Sequence, residues 1–316
     1  MANAGEQAAL VELGRALLAR DYHFITPTPE THRRVNARSE NQMAQDLPGV
    51  FGWSRPFTPD LLPDALLDLM ERGNILYRDG NRLRSLARFS SLDGQLFIHS
   101  SYPTVENDAV FFGPDTYRFA RLLRSLPRPE KAGLRVVDIG AGSGAGGLAI
   151  AARWGGEIEL VLGDINEKAL HYCGVNARLN GVTGATTCCS DILSGVEGSA
   201  DLIISNPPYL VDEGRRRYRH GGGNLGWDLS LRIVEESLPR LNPGGRLVLY
   251  TASAIVAGED RFRAALVPLL RAFRGSWHYE EIDPDVFGEE LDTTPYRNAD
   301  RIAVVALIAT AEEEAA

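Results

Sequence analysis

An apolar run leading straight into a glycine cluster constrains this chain more than any other feature. LRVVDI, residues 134–139, is followed by Gly140-Ala141-Gly142-Ser143-Gly144-Ala145-Gly146-Gly147, with a helix expected to open near Leu148. Glycine lets the backbone turn tightly and approach a ligand, and a helix N-terminus beyond it offers unpaired N–H groups. Strand, turn and helix in that order predict a cofactor site. Short Val/Ile/Leu runs recur in EIELVLGD, DLIISN, RLVLYTA and RIAVVALIA, separated by helical stretches such as EKALHYCGVNARLN and DLSLRIVEESLPRL. That alternation predicts a doubly wound α/β fold with a mostly parallel sheet over residues 106–316.

The glycines alone leave the ligand open. Gly142-x-Gly144-x-x-Gly147 satisfies the dinucleotide fingerprint, with Asp164 about twenty residues on, so an NAD-dependent oxidoreductase is one reading. Asp138, two residues before Gly140, points elsewhere. Asp-x-Gly-x-Gly-x-Gly resembles the first motif of class I methyltransferases, where a carboxylate at this place is suited to the ammonium group of a sulfonium-bearing amino acid. Asp164, ending LVLGD, suits ribose hydroxyls under either reading, or a helix N-cap before Asn166. By the same resemblance Asp191, in CCSDIL, receives an adenine amino group; otherwise it is a surface Asp opening a turn. Gly140, Ala141, Gly142, Gly144, Ile165 and Ile192 join the candidate cofactor-binding set, as do Asp115 and Phe112 of the segment FFGPDTY.

A second motif bears on the chemistry. DLIIS ends in Asn206-Pro207-Pro208-Tyr209. Two prolines fix φ and remove two N–H donors, leaving a stiff corner rich in carbonyl acceptors. The Asn206 side-chain oxygen and the Pro207 carbonyl can accept both hydrogens of a planar –NH2 group, and the Tyr209 ring can stack on it. Such a nitrogen is a weak nucleophile because its lone pair is delocalised, so catalysis by orientation suits it. Asn206, Pro207 and Tyr209 are the candidate catalytic residues, with Asn206 also facing the cofactor.

With the glycine turn and the three aspartates, this motif resembles the Asn-Pro-Pro-Tyr N-methyltransferases, and within them the protein-glutamine N5-methyltransferases that modify release factors. DLIISNPPYL, the following GGGNLGWDLSLRIVEESLPRLNPGGRLVL and the closing DRIAVVAL carry the likeness over about residues 106–310. It implies a seven-stranded methyltransferase sheet, S-adenosyl-L-methionine as cofactor, and a protein glutamine amide as acceptor, with an RNA base amine or a small amino-containing metabolite as alternatives. It also implies that FFGPDTYRFARLL is a helix covering the methionine end of the cofactor, with Asp115 or Thr116 as its cap and Phe112 or Tyr117 touching the cofactor. An inactive methyltransferase-like binding module is a further alternative.

Residues 1–105 read as a smaller α+β or winged-helix-like unit for substrate recognition. EQAALVELGRALLAR and the run after Pro63 have helical spacing, and Asp79-Gly80 and Asp93-Gly94 mark two hairpins. This departs from the all-helical lead domain of the release-factor family. So does the segment after Tyr209, whose Arg215, Arg216, Arg217, Arg219 and His220 are suited to phosphate, a carboxylate or an acidic protein face, or to solvent. The net charge of −9 argues against binding nucleic acid by bulk electrostatics. Cys173, Cys188 and Cys189 lack metal-ligand spacing and read as reduced core thiols, with no metal site expected. No apolar run suits a membrane span or a signal peptide, so a cytoplasmic location without membrane contact is expected, and oligomeric state is left open. The tail AEEEAA reads as frayed.

Overall fold

The computed structural model describes residues 4–212, 214 and 216–314. The chain opens with helices α1 (Ala4–Leu18), α2 (Pro29–Asn36), α3 (Leu47–Phe51) and α4 (Asp64–Arg72). Two antiparallel hairpins follow, β1 (Leu76–Asp79) with β2 (Arg82–Ser85) and β3 (Ala87–Leu92) with β4 (Gln95–Ser100), turning at the two Asp-Gly pairs. They are separate ribbons rather than a single wing. The rest is α5 (Pro114–Arg124), β5 (Leu134–Ile139), α6 (Ala145–Trp154), β6 (Ile158–Asp164), α7 (Glu167–Leu179), β7 (Ala185–Cys189), β8 (Ala200–Ser205), α8 (Asp228–Ser237), β9 (Leu241–Val256), the two-residue β10 (Glu259–Asp260), α9 (Arg261–Ala272), β11 (Gly275–Asp283) and β12 (Arg301–Ala311).

Among the described residues the main sheet runs β11-β12-β9-β8-β5-β6-β7, with β10 paired to β9 off this path. The strands from β9 to β7 are parallel, whereas β12 and β11 join antiparallel at one edge. Strand order reverses between β5 and β8, and in open α/β sheets ligands bind in the crevice at such a switch point, outside the carboxyl ends of the strands. Alternation along β5 sends Leu134 and Val136 to one face and Val137 and Ile139 to the other, each into its own hydrophobic layer. Helices α5 and α6 cover the first layer through Phe119, Leu148 and Ile150. On the second, α8 and α9 contribute Ile233, Phe262 and Leu266.

The amino-terminal unit has a core of its own around Leu10, Phe51, Phe89 and Ile98, but Ala169, Tyr172, Val175 and Leu179 of α7 belong to that same core. Burying side chains of this size contributes roughly 1.5–3 kcal/mol each, so the attachment is substantial. Polar groups add to it. Asn180 Oδ1 accepts from Leu96 N at 3.1 Å and its Nδ2 donates to Leu96 O at 2.9 Å. One turn earlier, Asn176 does the same for Ile98 at 2.8 and 3.0 Å, and its Nδ2 also donates to Ser143 O at 2.8 Å. Two asparagines spaced one helical turn apart thus close the free edge of β4, which exposed would be a template for further pairing.

Two expectations need correction. Helix α6 opens at Ala145, not near Leu148, because Gly144 caps it in a left-handed conformation (φ +77°) and Gly146 and Gly147 form its first turn. Glycine is a poor helix former, but a Cβ at Gly147 would lie 2.8 Å from Leu162 Cδ2, so close helix–sheet packing overrides propensity. Of the cysteines, only Cys173 is a core thiol; Cys188 is half-buried and Cys189 exposed, since β7 lies at the sheet's edge. The tail is described to Glu314, and Ala315 and Ala316 lie outside the described residues. No described helix is long and apolar enough to cross a membrane.

Candidate active site

At the carboxyl ends of β5 and β8 lies a cavity of about 500 Å³, within the range of cofactor and substrate pockets. Parallel pairing sets Ile139 opposite Ser205, so the next residues, Gly140 and Asn206, emerge side by side from neighbouring strands. Ser205 Oγ donates to Ile139 O at 2.8 Å and ties the two strand ends together. The glycine turn and the Asn-Pro-Pro-Tyr corner are therefore adjacent walls of one space.

Carboxylates underpin the glycine turn. Asp138, 2% exposed, accepts from Gly147 N at 2.8 Å through Oδ2. Burial, offset in part by that bond, pushes its carboxyl up to about 7. Asp164 accepts from Gly142 N at 2.9 Å and from Asn166 N at 2.8 Å, and burial raises its pKa also. It is not the helix cap: Asn166 caps α7, accepting from Lys168 N at 3.0 Å. Asp191 is exposed, beside the Arg232 guanidinium at 3.3 Å, and Ile192 after it is buried with φ +52°.

Of the sequence-derived site residues, Asp115, Asp138, Gly140, Ala141, Gly142, Asp164, Ile165, Asp191, Ile192, Asn206, Pro207 and Tyr209 all line the cavity. Gly144 and Phe112 do not. Gly144 turns against Cys173 and Leu148, and Phe112 is fully buried, stacked on His99 at 4.9 Å and facing Phe97. Neighbouring Phe111 lines the cavity in its place. Tyr117 accepts from Thr26 N at 3.0 Å, toward the amino-terminal unit. Nor does Asp115 cap α5, since Thr116 Oγ1 accepts from Gly113 N at 3.3 Å.

The cavity is also walled by parts distant in sequence from both motifs. Thr28, Pro29 and Glu30 of the amino-terminal unit and Val286, Phe287 and Glu289 near the carboxyl end all reach the cavity, and no local pattern marks them. Asn206 is half-buried with no side-chain hydrogen bond among the described residues, whereas Tyr209 is buried, its phenol raised by burial and by Asp115. Among the described residues of the segment after Tyr209, Arg216 and Arg219 are engaged in ion pairs. Arg216 and Arg219 both pair with Asp212, and Arg219 also with Glu290; these contacts hold the Asp212 carboxyl below its usual range despite burial. Tyr218 lies parallel to Phe111 at 5.9 Å, and its hydroxyl donates to Thr104 O at 2.6 Å. Arg217 is exposed at the cavity wall, and Arg215 lies outside the described residues.

A doubly wound sheet with a glycine turn and an acceptor-rich corner at its switch point defines a nucleotide-type cofactor enzyme. Residues 120–260 match the family model of the methyltransferase small domain, so this part of the chain is similar to methyltransferase domains. A release factor glutamine methyltransferase of Deinococcus radiodurans is 32% identical over 178 residues, 53% of this chain and 59% of that protein. A ribosomal RNA small subunit methyltransferase C of Chromohalobacter salexigens is 34% identical over 131 residues, 41% of this chain and 35% of that protein. Among solved structures, a T. thermophilus 16S rRNA N2 methyltransferase in complex with AdoMet and guanosine is 20% identical, covering 82% of this chain and 64% of that one at a TM-score of 0.45. The chain thus spans less than two thirds of the length of both curated relatives.

Proposed function

We propose that the protein is an S-adenosylmethionine-dependent N-methyltransferase acting on a planar nitrogen, with a protein glutamine amide as acceptor. The observation that carries this reading is the register of β5 with β8, which sets the Asn206 corner beside the glycine turn in one cavity. The residues suit the cofactor. Asp138 is a buried carboxylate with a single backbone donor, so a cation beside it offsets its desolvation, as an amino acid ammonium would. Asp164 accepts one N–H on each oxygen and keeps lone pairs for ribose hydroxyls, and exposed Asp191 can accept from an adenine amino group. When bound, S-adenosylmethionine supplies an activated methyl group.

The chain's own residues then have to orient and not to deprotonate. Asn206 Oδ1 and the Pro207 carbonyl hold the two hydrogens of the acceptor, which turns its lone pair toward the methyl carbon. Tyr209 bounds the planar group on one face. Its phenol, raised well above the ordinary range by burial, stays neutral and is not a base. The acceptor proton passes to solvent after transfer. Orientation of this kind supplies several kcal/mol of a barrier.

The release factor relative, and the resemblance of the Asn-Pro-Pro-Tyr motif to that of the glutamine N5-methyltransferases, support a protein amide. An RNA base amine is the second reading, supported by the ribosomal RNA relatives and by Arg217 at the cavity wall. The net charge of −9 and the carboxylates of Glu30 and Glu289 at the same cavity weigh against a polyanion. Tritiated S-adenosylmethionine incubated with fractionated lysate of a strain lacking the gene distinguishes the two. Label is expected in protease-sensitive material; label removed by ribonuclease selects the second reading. Asn206→Ala is expected to lower incorporation by about 100-fold or more while leaving cofactor affinity within about threefold. Equal loss of binding and turnover contradicts its assigned role.

A further inference from the structure

Left-handed backbone is cheap for glycine and costly for a large side chain. Among the described residues, the non-glycine positions that adopt it are Asp21, Ser54, Asn74, Asp93, Ala257, Ile192 and Phe287. The first five carry short side chains, and none of them lines the cavity; Ile192 and Phe287 carry large ones, and both line it. Residues held in this way persist where their surroundings over-determine them, and they cluster at ligand clamps. Ile192 belongs to the proposed cofactor set. Phe287 (φ +56°, ψ 41°) stands instead against the Asn-Pro-Pro-Tyr corner, its ring 6.1 Å from that of Tyr209 at 56°.

Residues 284–300, which join β11 to β12, are anchored on both sides of Phe287. Val286 N donates to Ile302 O and Glu290 N to Phe287 O, each at 2.8 Å. Further along, the Glu290 carboxylate pairs with Arg219. The buried Tyr296 phenol accepts from Val211 N at 3.0 Å and donates to Leu225 O at 3.3 Å. Val211, Arg219 and Leu225 all belong to the segment that follows Tyr209, so the strained residue and the corner are held in one frame. The adjacent Gly288 has no positive φ, so the left-handed place falls to the ring and not to its glycine neighbour. Rings with centroids this close are in contact and leave no slot between them. Half-buried Phe287 and buried Tyr209 therefore offer the cavity one joined, angled aromatic surface.

From this arrangement we infer that Phe287 is a binding residue for the methyl acceptor: its ring, set beside Tyr209 by a left-handed backbone, is an apolar wall for the stem of the acceptor side chain. The ligand class is an uncharged side chain with a short apolar stem that ends in a flat nitrogen group. The inference rests on the reading of residues 206–209 as the acceptor corner. Asn206 and Pro207 offer oxygens to the amide, and the methylenes of a glutamine side chain gain by leaving water against an apolar neighbour.

The test compares Phe287→Gly, Phe287→Asn and Phe287→Tyr in the full chain. Glycine and asparagine tolerate the left-handed place, so both remove the ring without adding strain, whereas tyrosine keeps it. Initial rates of tritiated methyl incorporation are read against increasing amounts of the lysate fraction above, together with S-adenosylmethionine affinity by calorimetry. For the glycine and asparagine variants the amount of fraction giving half-maximal rate is expected to rise about 10-fold or more, with maximal rate and cofactor affinity each within about threefold. Phe287→Tyr is expected to stay within about threefold throughout. An unchanged half-maximal amount in the two ring-less variants overturns the inference, as does a cofactor affinity that falls as far as acceptor binding. Where a variant melts early, rates are taken at a temperature at which its melt shows it folded. If Asn206→Ala abolishes transfer and Phe287→Gly leaves the half-maximal amount unchanged, this inference alone fails. If both variants spare transfer, the reading of the corner fails with it.

Discussion

The two walls of the cavity are made rigid by different means. On the glycine-turn side, carboxylates meet backbone N–H groups a short way along the chain: Asp138 with Gly147, 9 residues apart, and Asp164 with Gly142, 22 apart. On the Asn-Pro-Pro-Tyr side the segment after Tyr209 is held by side chains across much longer stretches, Tyr218 to Thr104 over 114 residues and Arg219 to Glu290 over 71. The first wall is complete once β5, β6 and the first turn of α6 have formed. The second needs the whole chain. The distant pieces that shape the second wall can therefore change without disturbing the glycine turn.

The largest effect that tests this division is expected at Asp138. Asp138→Asn leaves the Gly147 amide its acceptor but removes the buried charge, so S-adenosylmethionine affinity is expected to fall about 100-fold, a cost in line with a buried charge losing its partner, while the fold stays intact. Retained stabilisation by the cofactor in a thermal melt would show that its cation lies elsewhere. A pH dependence of the same origin comes next. The Asp138 carboxyl is raised to about 7 in the folded protein from its ordinary 3.8, so the ligand-free fold carries the cost of a buried charge above pH 7 and is relieved of it as pH falls from 7 toward 4. Cofactor binding favours the charged form and runs the other way: affinity is expected to drop roughly tenfold per unit below about pH 6, with uptake of the ligand releasing about half a proton at pH 7 and close to one at pH 6 and below. Calorimetry in two buffers of different protonation enthalpy measures that proton, and a pH-independent affinity between 6 and 8 would remove Asp138 from the site. The smallest effect is expected on the far wall. Glu290→Gln weakens the Arg219 pair and is expected to raise the apparent acceptor KM about 3- to 10-fold with cofactor affinity unchanged. If cofactor affinity moves equally, the walls are not independent.

The same contrast explains what the sequence made legible. The strands β5, β6, β8, β9 and β12 are apolar runs buried on both faces, and the glycine cluster and Asn-Pro-Pro-Tyr are local patterns, so order, layering and the near wall were readable from residue types. Strand β11 was not: GSWHYEEID forms an exposed edge with no apolar run, and it is defined by pairing with β12. Helix α2 was hidden for a similar reason, since PETHRRVN buries only His32. Thr28 and Phe287 reach the cavity through tertiary packing that no spacing encodes. Within FFGPDTY the residue types were informative but their division of labour was not: a hydroxyl and a carboxylate both suit a cap, and which one turns inward depends on Tyr250, 135 residues away.

Asn176 has a mechanical consequence. One buried amide grips both main-chain groups of Ile98 and, with its remaining hydrogen, the Ser143 carbonyl within the glycine turn. Any rocking of the β3–β4 ribbon therefore pulls on the glycine turn at the cavity wall, and tightening of that turn pulls back on the ribbon. Among the contacts that join the amino-terminal unit to the rest of the chain, this one reaches the glycine turn directly.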